Sequence, residues 1–327
     1  MKFDAKRLSA LLYQMGIADD HLVHDNQGAR IDAALSMVFA RQLEYQQAQF
    51  QETIYPELIA REVIPIDYSI PNGADAMTVT RLEDVGEADF VTGAATDYPN
   101  VEIFGTQTTQ RIVTFGDSYQ YTIQEMRAAA MAGVQLDDAK SKAARRIIER
   151  KLDAIAFLGV AQASIPGLAT SSLVTPTVLT GAWSNPATTG DSILQDVMAL
   201  WQAIYTKSGG AIEPDTLVLP LAANSAFSTR YMSAYDRRFV LQAIKESTPF
   251  KNVRATTKLA LANAGGNGPR VVAYKYDKEI VDLAIPQEIE STQPQAIGRA
   301  FRVFSDMRTG GVRIKNPLGI AYGDSML

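Results

Sequence analysis

Two histidines, His21 and His24, are the only imidazoles in the 327-residue chain, and they sit together in Asp20-His21-Leu22-Val23-His24-Asp25. The i, i+3 spacing can place both rings on one helical face beside carboxylates. A metal site needs at least a third well-placed ligand, and the competing reading is a solvated, weakly structured arm. With both histidines there, none remains for a Ser-His-Asp or Cys-His nucleophile site. Cysteine is absent, which removes disulfides, thiol catalysis and thiolate metal ligation together. No G-x-x-x-x-G-K-[ST] phosphate loop occurs, and Gly265-Gly266-Asn267-Gly268 departs from G-x-G-x-x-G and reads as a loop between elements. A G-x-S-x-G elbow is also missing. The acidic pairs Asp19-Asp20 and Asp137-Asp138 fit helix starts, where carboxylates cap free N–H groups and complement the dipole. A hydrolase working with carboxylates alone stays open, but no residue singles one out. The chain therefore predicts no catalytic residue, no cofactor and no metal.

What would position such residues is more informative. Hydrophobic residues make up 46% and charged residues 20%, with a net charge of −5. That composition supports one large or two modest packed domains. It offers no globally basic surface for nucleic acid. No apolar run reaches the ~20 residues of a membrane span, and the first twenty residues do not have the pattern of a signal peptide.

The charges are unevenly distributed. Between Ile66 and Thr122 there are nine acids, including Glu83, Asp84, Glu87, Asp89, Asp97 and Glu102, against two bases, Arg81 and Arg111. No lysine occurs between Lys6 and Lys140. Two strand signals, Met77–Leu82 and Gln110–Phe115 with Tyr119 and Tyr121 beyond, flank about 25 residues rich in Gly, Thr, Asp and Pro, longer than a compact domain tolerates without a use. They predict a long projecting hairpin. An isolated hairpin is marginal in water, so it needs something to lie on, and a neighbouring subunit is the natural support.

Thr122 followed by Glu125 has capping-box spacing and predicts a helix over Ile123–Ala132, stopped at Gly133. A longer helix is expected over Asp138–Leu158, opened by Leu136-Asp137-Asp138 and ended by Gly159. Ala144, Ile148, Leu152 and Ile155 form its apolar face. Lys140, Lys142, Arg145, Arg146, Arg150 and Lys151 are its bases, against Asp138 and Glu149 from Asp138 to Leu152. Such a face can be solvated, can touch phosphate, or can receive an acidic arm of another subunit. Opposite fields set encounter and register more than affinity, and each exposed pair contributes only ~0–1 kcal/mol.

Elsewhere, residues 1–30 read as an arm. A helical pattern starts at Ile31 with Leu35, Val38, Phe39 and Leu43 on one face. Pro56 and Pro65 bracket a short element, Glu57–Ile64. Residues 160–190 read as a crossover. An amphipathic helix over Asp191–Lys207 and a buried strand at Thr216–Leu219 follow. Helical segments are expected around Ala222–Met232 and Arg238–Lys245, with strands around Arg270–Tyr276 and Ile280–Ile285. Strand signals resume over Gln295–Tyr322 with a Gly310-Gly311 turn. The pattern is α+β, without a fixed repeat.

Several of these residues resemble one family. Phe39-Ala40-Arg41-Gln42-Leu43-Glu44-Tyr45, Tyr55-Pro56-Glu57-Leu58, Ala60-Arg61 and Ile64-Pro65 are similar to the N-terminal part of tailed-phage major capsid proteins. So are Tyr121–Ala129, Leu136-Asp137, Ala143-Ala144-Arg145-Arg146 and Phe157-Leu158-Gly159. The resemblance runs from about residue 38 to the C-terminus and is strongest before 160. It implies an α+β, Hong Kong 97-like fold. Its arrangement on this chain would be an N-terminal arm and helix (1–50), a discontinuous peripheral domain (51–67, 119–162 and 296–327) with the spine helix at Asp138–Leu158, an extended loop (68–118) and an axial domain (163–295). The implied function is self-assembly into pentamers and hexamers of an icosahedral head around double-stranded DNA, in the virion, assembled in the host cytoplasm. The inter-subunit residues would be Glu83, Asp84, Glu87, Asp89, Asp97 and Glu102 on the loop and Arg145, Arg146 and Arg150 on the spine. The implied partners are further copies, DNA held without specific recognition, and optionally a decoration or cement protein and a separate scaffolding protein; no membrane is involved. An encapsulin-like nanocompartment shell is the alternative within the same fold. Some relatives weld their shells through a lysine in the extended loop; with no lysine there, this chain lacks that chemistry.

Overall fold

Period-two and period-3.6 patterns set the elements, and long-range contacts set their order in space. The computed structural model describes residues 55–90, 100–132, 136–179, 182–183, 185, 187–233, 235–262 and 268–324. The histidine pair, the helical pattern from Ile31, Asp97 and the core of the Gly265–Gly268 loop lie outside the described residues. In chain order the described elements are α1 (Ala60–Val63), β1 (Ile66–Asp67), β2 (Ala76–Val85), β3 (Glu102–Arg111), β4 (Val113–Thr122), α2 (Ile123–Ala132), α3 (Leu136–Leu158) and β5 (Pro176–Val178). They continue with α4 (Gly190–Lys207), β6 (Thr216–Pro220), α5 (Leu221–Thr229), α6 (Val240–Ser247), β7 (Asn252–Thr256), β8 (Arg270–Tyr274), β9 (Val281–Ala284), β10 (Gln287–Ser291), β11 (Gln295–Ile297), β12 (Ala300–Thr309), β13 (Gly311–Ile314) and β14 (Ile320–Asp324).

The helix signals act as expected. The Glu125 N–H donates to Thr122 Oγ1 at 3.2 Å, and the Thr122 N–H donates to Glu125 Oε2 at 2.8 Å, closing a reciprocal capping box at the start of α2. That backbone hydrogen bond, with help from Lys140, lowers the Glu125 carboxyl below its usual range. In α3, Ala144, Ile148, Leu152, Ile155 and Ala156 are buried on one stripe. The helix stops at Gly159, whose φ of +72° is a left-handed conformation that glycine adopts without strain.

Strands β5-β14-β8-β6-β7 form a five-stranded sheet. Strands β6 and β8 are buried at every position, so both faces are covered. Alternate residues therefore feed two cores. Val218, Val272, Tyr274, Ile320 and Tyr322 join the core under α3. Leu217, Leu219, Val271, Ala273 and Ala321 join the core under α4, α5 and α6. Each fully buried aliphatic chain contributes about 1.5–3 kcal/mol. Buried polar contacts fix the relative position of the layers. Tyr274 donates to Val63 O and Tyr322 to Leu168 O, each at 2.6 Å. Arg270 grips Asp324 with two 2.7 Å bonds and donates to Ala169 O at 2.6 Å. Asp153 of α3 accepts the Ala60 N–H at 3.1 Å, and its burial pushes its carboxyl above the usual range.

Strand pairing departs from the sequence expectation in two places. The Gln110–Phe115 signal is two strands, not one. β3 ends at Arg111, Ile112 is buried with its N–H donated to Asp75 O at 2.9 Å, and β4 begins at Val113. β4 then pairs antiparallel with β12 over ten residues, Val113 opposite Thr309 through Thr122 opposite Ala300. Gly310-Gly311 is a turn, with φ +73° at Gly311, but it does not close a hairpin. β12 lies with β4, β10 and β11, whereas β13 crosses to pair with β9, which also pairs with β1. β9 shares its sheet with β1 and β13, and β14 joins the sheet of β6 and β8. Strand membership is decided by distant partners, which local pattern does not encode.

Candidate functional site

The hairpin β2–β3 exposes the apolar side chains Leu82, Val85, Ile103 and Phe104. Its ten pairs run in unbroken register from Ala76 opposite Arg111 to Val85 opposite Glu102. Its root is fastened to the body. Met77 and Gln110 face each other and are both buried. Gln110 Nε2 donates to Gly310 O at 2.6 Å and Val312 O at 3.2 Å. Arg308 holds the entering strand through Asn72 O, Ala74 O at 2.9 Å and Asp75 at 3.2 Å. Thr78 and Thr109 hydroxyls meet across the strands at 2.9 Å.

Beyond Arg81 every described residue to Phe90 is exposed, as is every residue from Asn100 to Thr109. Leu82 is 65% exposed and Ile103 64% exposed. The register puts Leu82, Asp84 and Ile103 on one face, because directly opposed residues share a face and Ile103 lies opposite Asp84. Glu83, Phe104, Val85 and Glu102 share the other. Each face mixes apolar side chains with carboxylates, a surface unsuited to solvent on both sides.

The residues singled out by sequence fall as follows. Glu83, Asp84, Glu87, Asp89 and Glu102 are exposed on the hairpin and its outer connection. Glu83 meets Arg81 of its own strand at 3.3 Å. The Asp89 carboxylate accepts the Phe90 N–H at 2.7 Å. On α3, Arg145 is exposed, but Arg146 and Arg150 are half-buried and already engaged in interactions. The exposed bases of this helix are Lys142, which lies 3.7 Å from Asp138, Arg145 and Lys151, beside the exposed apolar Ile147 and Leu158. Lys140 turns back to donate to Gln120 O at 2.7 Å, 3.6 Å from Glu125. Sequence reasoning weighed the hairpin's acids and passed over its apolar residues Leu82, Val85, Ile103 and Phe104. Nothing local marks them as exposed, because exposure depends on which distant residues arrive to cover a strand.

Other charge clusters bind the subunit together. Arg313 pairs with Asp282 and Asp67, and Lys315 reaches Asp282 at 2.9 Å. Burial alone would raise the Asp67 carboxyl; hydrogen bonds from Ser69 and the Arg313 guanidinium overcome it and hold it at about 2. Glu288 is lowered chiefly by its hydrogen bond from Arg61, at 2.7 Å, which also reaches Glu149 at 3.0 Å. Asp117 is raised by burial. Among the described residues, no three His, Cys, Asp or Glu side chains gather for a metal ion. A cleft of about 100 Å³ between the hairpin root and β13 is lined by Val79, Arg81, Thr108, Arg313 and Lys315. That is below the ~300 Å³ at which small-molecule sites begin. A wider cleft, about 500 Å³, is lined by Arg61, Pro65, Ile66, Tyr276, Asp277 and Lys278. No helix among the described residues is long and apolar enough to cross a membrane.

Comparison with known proteins narrows what this surface serves. No curated protein matches the chain. The solved capsid of Myoviridae phage XM1 is similar over 88% of this chain and 98% of its own, with a TM-score of 0.76 and 17% identity. Mycobacterium phage Ogopogo matches over 88% and 98%, TM-score 0.62, 11% identity. A virus-like particle from Pyrococcus furiosus matches over 80% and 90%, TM-score 0.52, 15% identity. At these identities the likeness establishes the fold, which is Hong Kong 97-like. The family model described as major capsid protein matches residues 86–326. By that match over most of its length, in a fold shared with phage capsids, the chain belongs to the major capsid protein family and is a capsid shell protein.

Proposed function

We propose that the chain assembles as pentamers and hexamers of an icosahedral phage head enclosing double-stranded DNA, and that the β2–β3 hairpin is the arm by which each subunit holds its neighbour. In this reading residues 68–118 are the extended loop and 163–295 the axial domain. Segments 51–67, 119–162 and 296–327 form the peripheral domain, and α3 is its spine. One observation carries the reading: a fully paired hairpin, fixed at its root by Met77, Gln110 and Arg308, exposes Leu82, Val85, Ile103 and Phe104 where none of the described residues covers them. Apolar surface of that kind is stabilised when another surface covers it.

The carboxylates Glu83, Asp84, Glu87, Asp89 and Glu102 set register against the exposed bases Lys142, Arg145 and Lys151 of a neighbouring α3. Arg146 and Arg150 on the same helix are half-buried and already engaged in interactions. DNA is held without sequence recognition, consistent with the net charge of −5. Cement and scaffolding partners are compatible with this arrangement, which places the protein in the virion after assembly in the host cytoplasm. The match to the major capsid protein family and the capsid fold favour a structural role over an enzymatic one.

Deleting residues 84–106 tests the reading. The expected product is a subunit with native circular dichroism that forms no closed particles by electron microscopy; normal shells from the deletion would sink the proposed arm. Reversing Lys142, Arg145 and Lys151 to Glu should block assembly, and reversing Glu83, Asp84 and Glu102 to Lys in the same chain should restore it. Failure of the restoration would remove the charge register from the account.

A further inference from the structure

The turn that feeds the hairpin, Pro71-Asn72-Gly73-Ala74, pairs an asparagine with a glycine that the fold does not require. The Ala74 N–H donates to Pro71 O at 3.1 Å, which makes Asn72 and Gly73 the two central residues of the turn. A glycine is normally explained by a left-handed backbone or by a close neighbour. Gly73 has neither: its φ lies outside the left-handed range, and a Cβ built on it would meet no atom within 4 Å. Gly116, Gly159 and Gly167, by contrast, each have a backbone atom within 2.4 Å of that position. Both turn residues are exposed. The Asn72 side-chain amide and the Gly73 N–H have no hydrogen-bond partner among the described residues.

Arg308 of β12 addresses the same turn. Its guanidinium donates to the Asn72 main-chain carbonyl oxygen and, at 2.9 Å, to Ala74 O, and its side chain is only 16% exposed. Asp75 lies 3.2 Å from it, but the Asp75 side chain is 98% exposed, so water screens that pair. The Asn72 carbonyl is conjugated with the Gly73 nitrogen through the peptide bond. When the Gly73 N–H loses its proton, the charge is shared with that oxygen. A guanidinium already bonded to the oxygen stabilises the anion. Arg308 thus raises the share of the Gly73 nitrogen that is in nucleophilic form.

We infer that Asn72-Gly73 is a site of spontaneous modification, at which the Gly73 nitrogen closes a succinimide on the Asn72 side chain and water then opens it to aspartate or isoaspartate. The deprotonated Gly73 nitrogen attacks Asn72 Cγ. The N–Cγ bond forms, the Cγ–Nδ2 bond breaks, and the amide nitrogen leaves as ammonia with a proton taken from water. Water then adds to one of the two ring carbonyls. Opening at Cγ breaks the new N–Cγ bond and leaves aspartate. Opening at the main-chain carbon breaks the original Asn72–Gly73 peptide bond and leaves isoaspartate, with the chain continuing through Cγ. Water is the one co-reactant, and nothing is oxidised or reduced. Either product puts a carboxylate beside Arg308, in competition with Asp75, and isoaspartate also lengthens the main chain of the turn by one methylene. Because Arg308 fastens the entering strand, the product alters the root of the hairpin. That consequence for the arm rests on the shell-building reading, whereas the modification stands without it.

The readout is unambiguous, because Asn72 is the only side-chain amide in the tryptic peptide Glu62–Arg81. The full chain, folded or unfolded in urea, is aged at mildly alkaline pH, digested and followed by mass spectrometry. The peptide is expected to lose ammonia and then gain water. The folded chain should convert about tenfold faster than the unfolded one, the effect of one hydrogen bond to a developing charge. Arg308→Gln should reduce the folded rate to that of the unfolded chain. Gly73→Ala should abolish the conversion over the same period at an unchanged or slightly raised melting temperature. An Asn72 that stays intact in the folded chain would overturn the inference, as would conversion no faster than in urea. A melting temperature several degrees lower for Gly73→Ala would show that the glycine serves the fold, and would also overturn it. Electron microscopy of fresh protein separates the two readings: no shells from fresh protein would count against the shell-building reading and leave the modification standing.

Discussion

Replacing Leu82 and Ile103 by serine separates the hairpin's role in assembly from its role in folding. These residues are 65% and 64% exposed, so about two-thirds of each side chain remains to be buried by a partner. Full burial of such a side chain contributes about 1.5–3 kcal/mol. The uncovered share is then about 1–2 kcal/mol per residue, or about 2–4 kcal/mol for the pair. At tenfold per 1.4 kcal/mol, association should weaken about 30- to 700-fold. The subunit itself loses only the covered third, about 1–2 kcal/mol, and its melting temperature should fall by no more than about 2–8 °C. The hairpin root, with Met77 buried and Gln110 bonded to Gly310 O, is untouched. The assay is the critical concentration for particle formation, followed by light scattering and sedimentation, with a thermal melt of the dissociated subunit alongside. An unchanged critical concentration would refute the claim that the apolar faces bind a partner. A large loss of subunit stability with proportionate loss of assembly would show instead that these side chains serve the subunit's own fold.

Two further predictions concern the body of the subunit. Gly167→Ala would place a Cβ 2.4 Å from both the Gly159 N and the Phe157 O, rigid backbone on each side. It should cost about 3 kcal/mol and lower the melting temperature by about 6–12 °C, as followed by circular dichroism. Asp67 makes a pH-dependent contribution: its folded value of about 2 lies below the unfolded value near 3.8. Its stabilisation is therefore complete above about pH 4 and lost as pH falls toward 2. Asp67→Asn should narrow its stability deficit against the unsubstituted chain over that window, measured by denaturant melts from pH 5 to 2; a constant deficit would show that the ionised carboxylate is not what Arg313 and Ser69 stabilise.

Much of the helical structure was legible because its causes are local. Thr122 and Glu125 specify the start of α2 within four residues, and Ala144, Ile148 and Leu152 specify the buried side of α3. Strands were less legible. The outer part of the hairpin, Glu83–Val85 with Glu102–Thr109, carries no strand signal in the sequence because its residues are exposed on both faces. β7 and β10 were passed over for the same reason, being edge or half-exposed strands without a hydrophobic run. The acids of the candidate surface were legible as a charge imbalance. Its apolar component was not weighed, because a hydrophobic residue in a sequence is normally taken to face its own core.

From the sequence alone follow the absence of thiols, the confinement of both histidines to positions 21 and 24, the capped helices, the lysine-free acidic segment and the resemblance to capsid subunits. Each depends on composition or on spacing within a few residues. Only the tertiary structure decided that β4 leaves the hairpin to pair with β12, that Gly310-Gly311 moves the chain between sheets, and that Arg146 and Arg150 are engaged within the subunit while Arg145 is exposed. It also decided that Leu82 and Ile103 face solvent. Exposure and strand pairing depend on which distant residues arrive to cover a surface, and no local pattern carries that information.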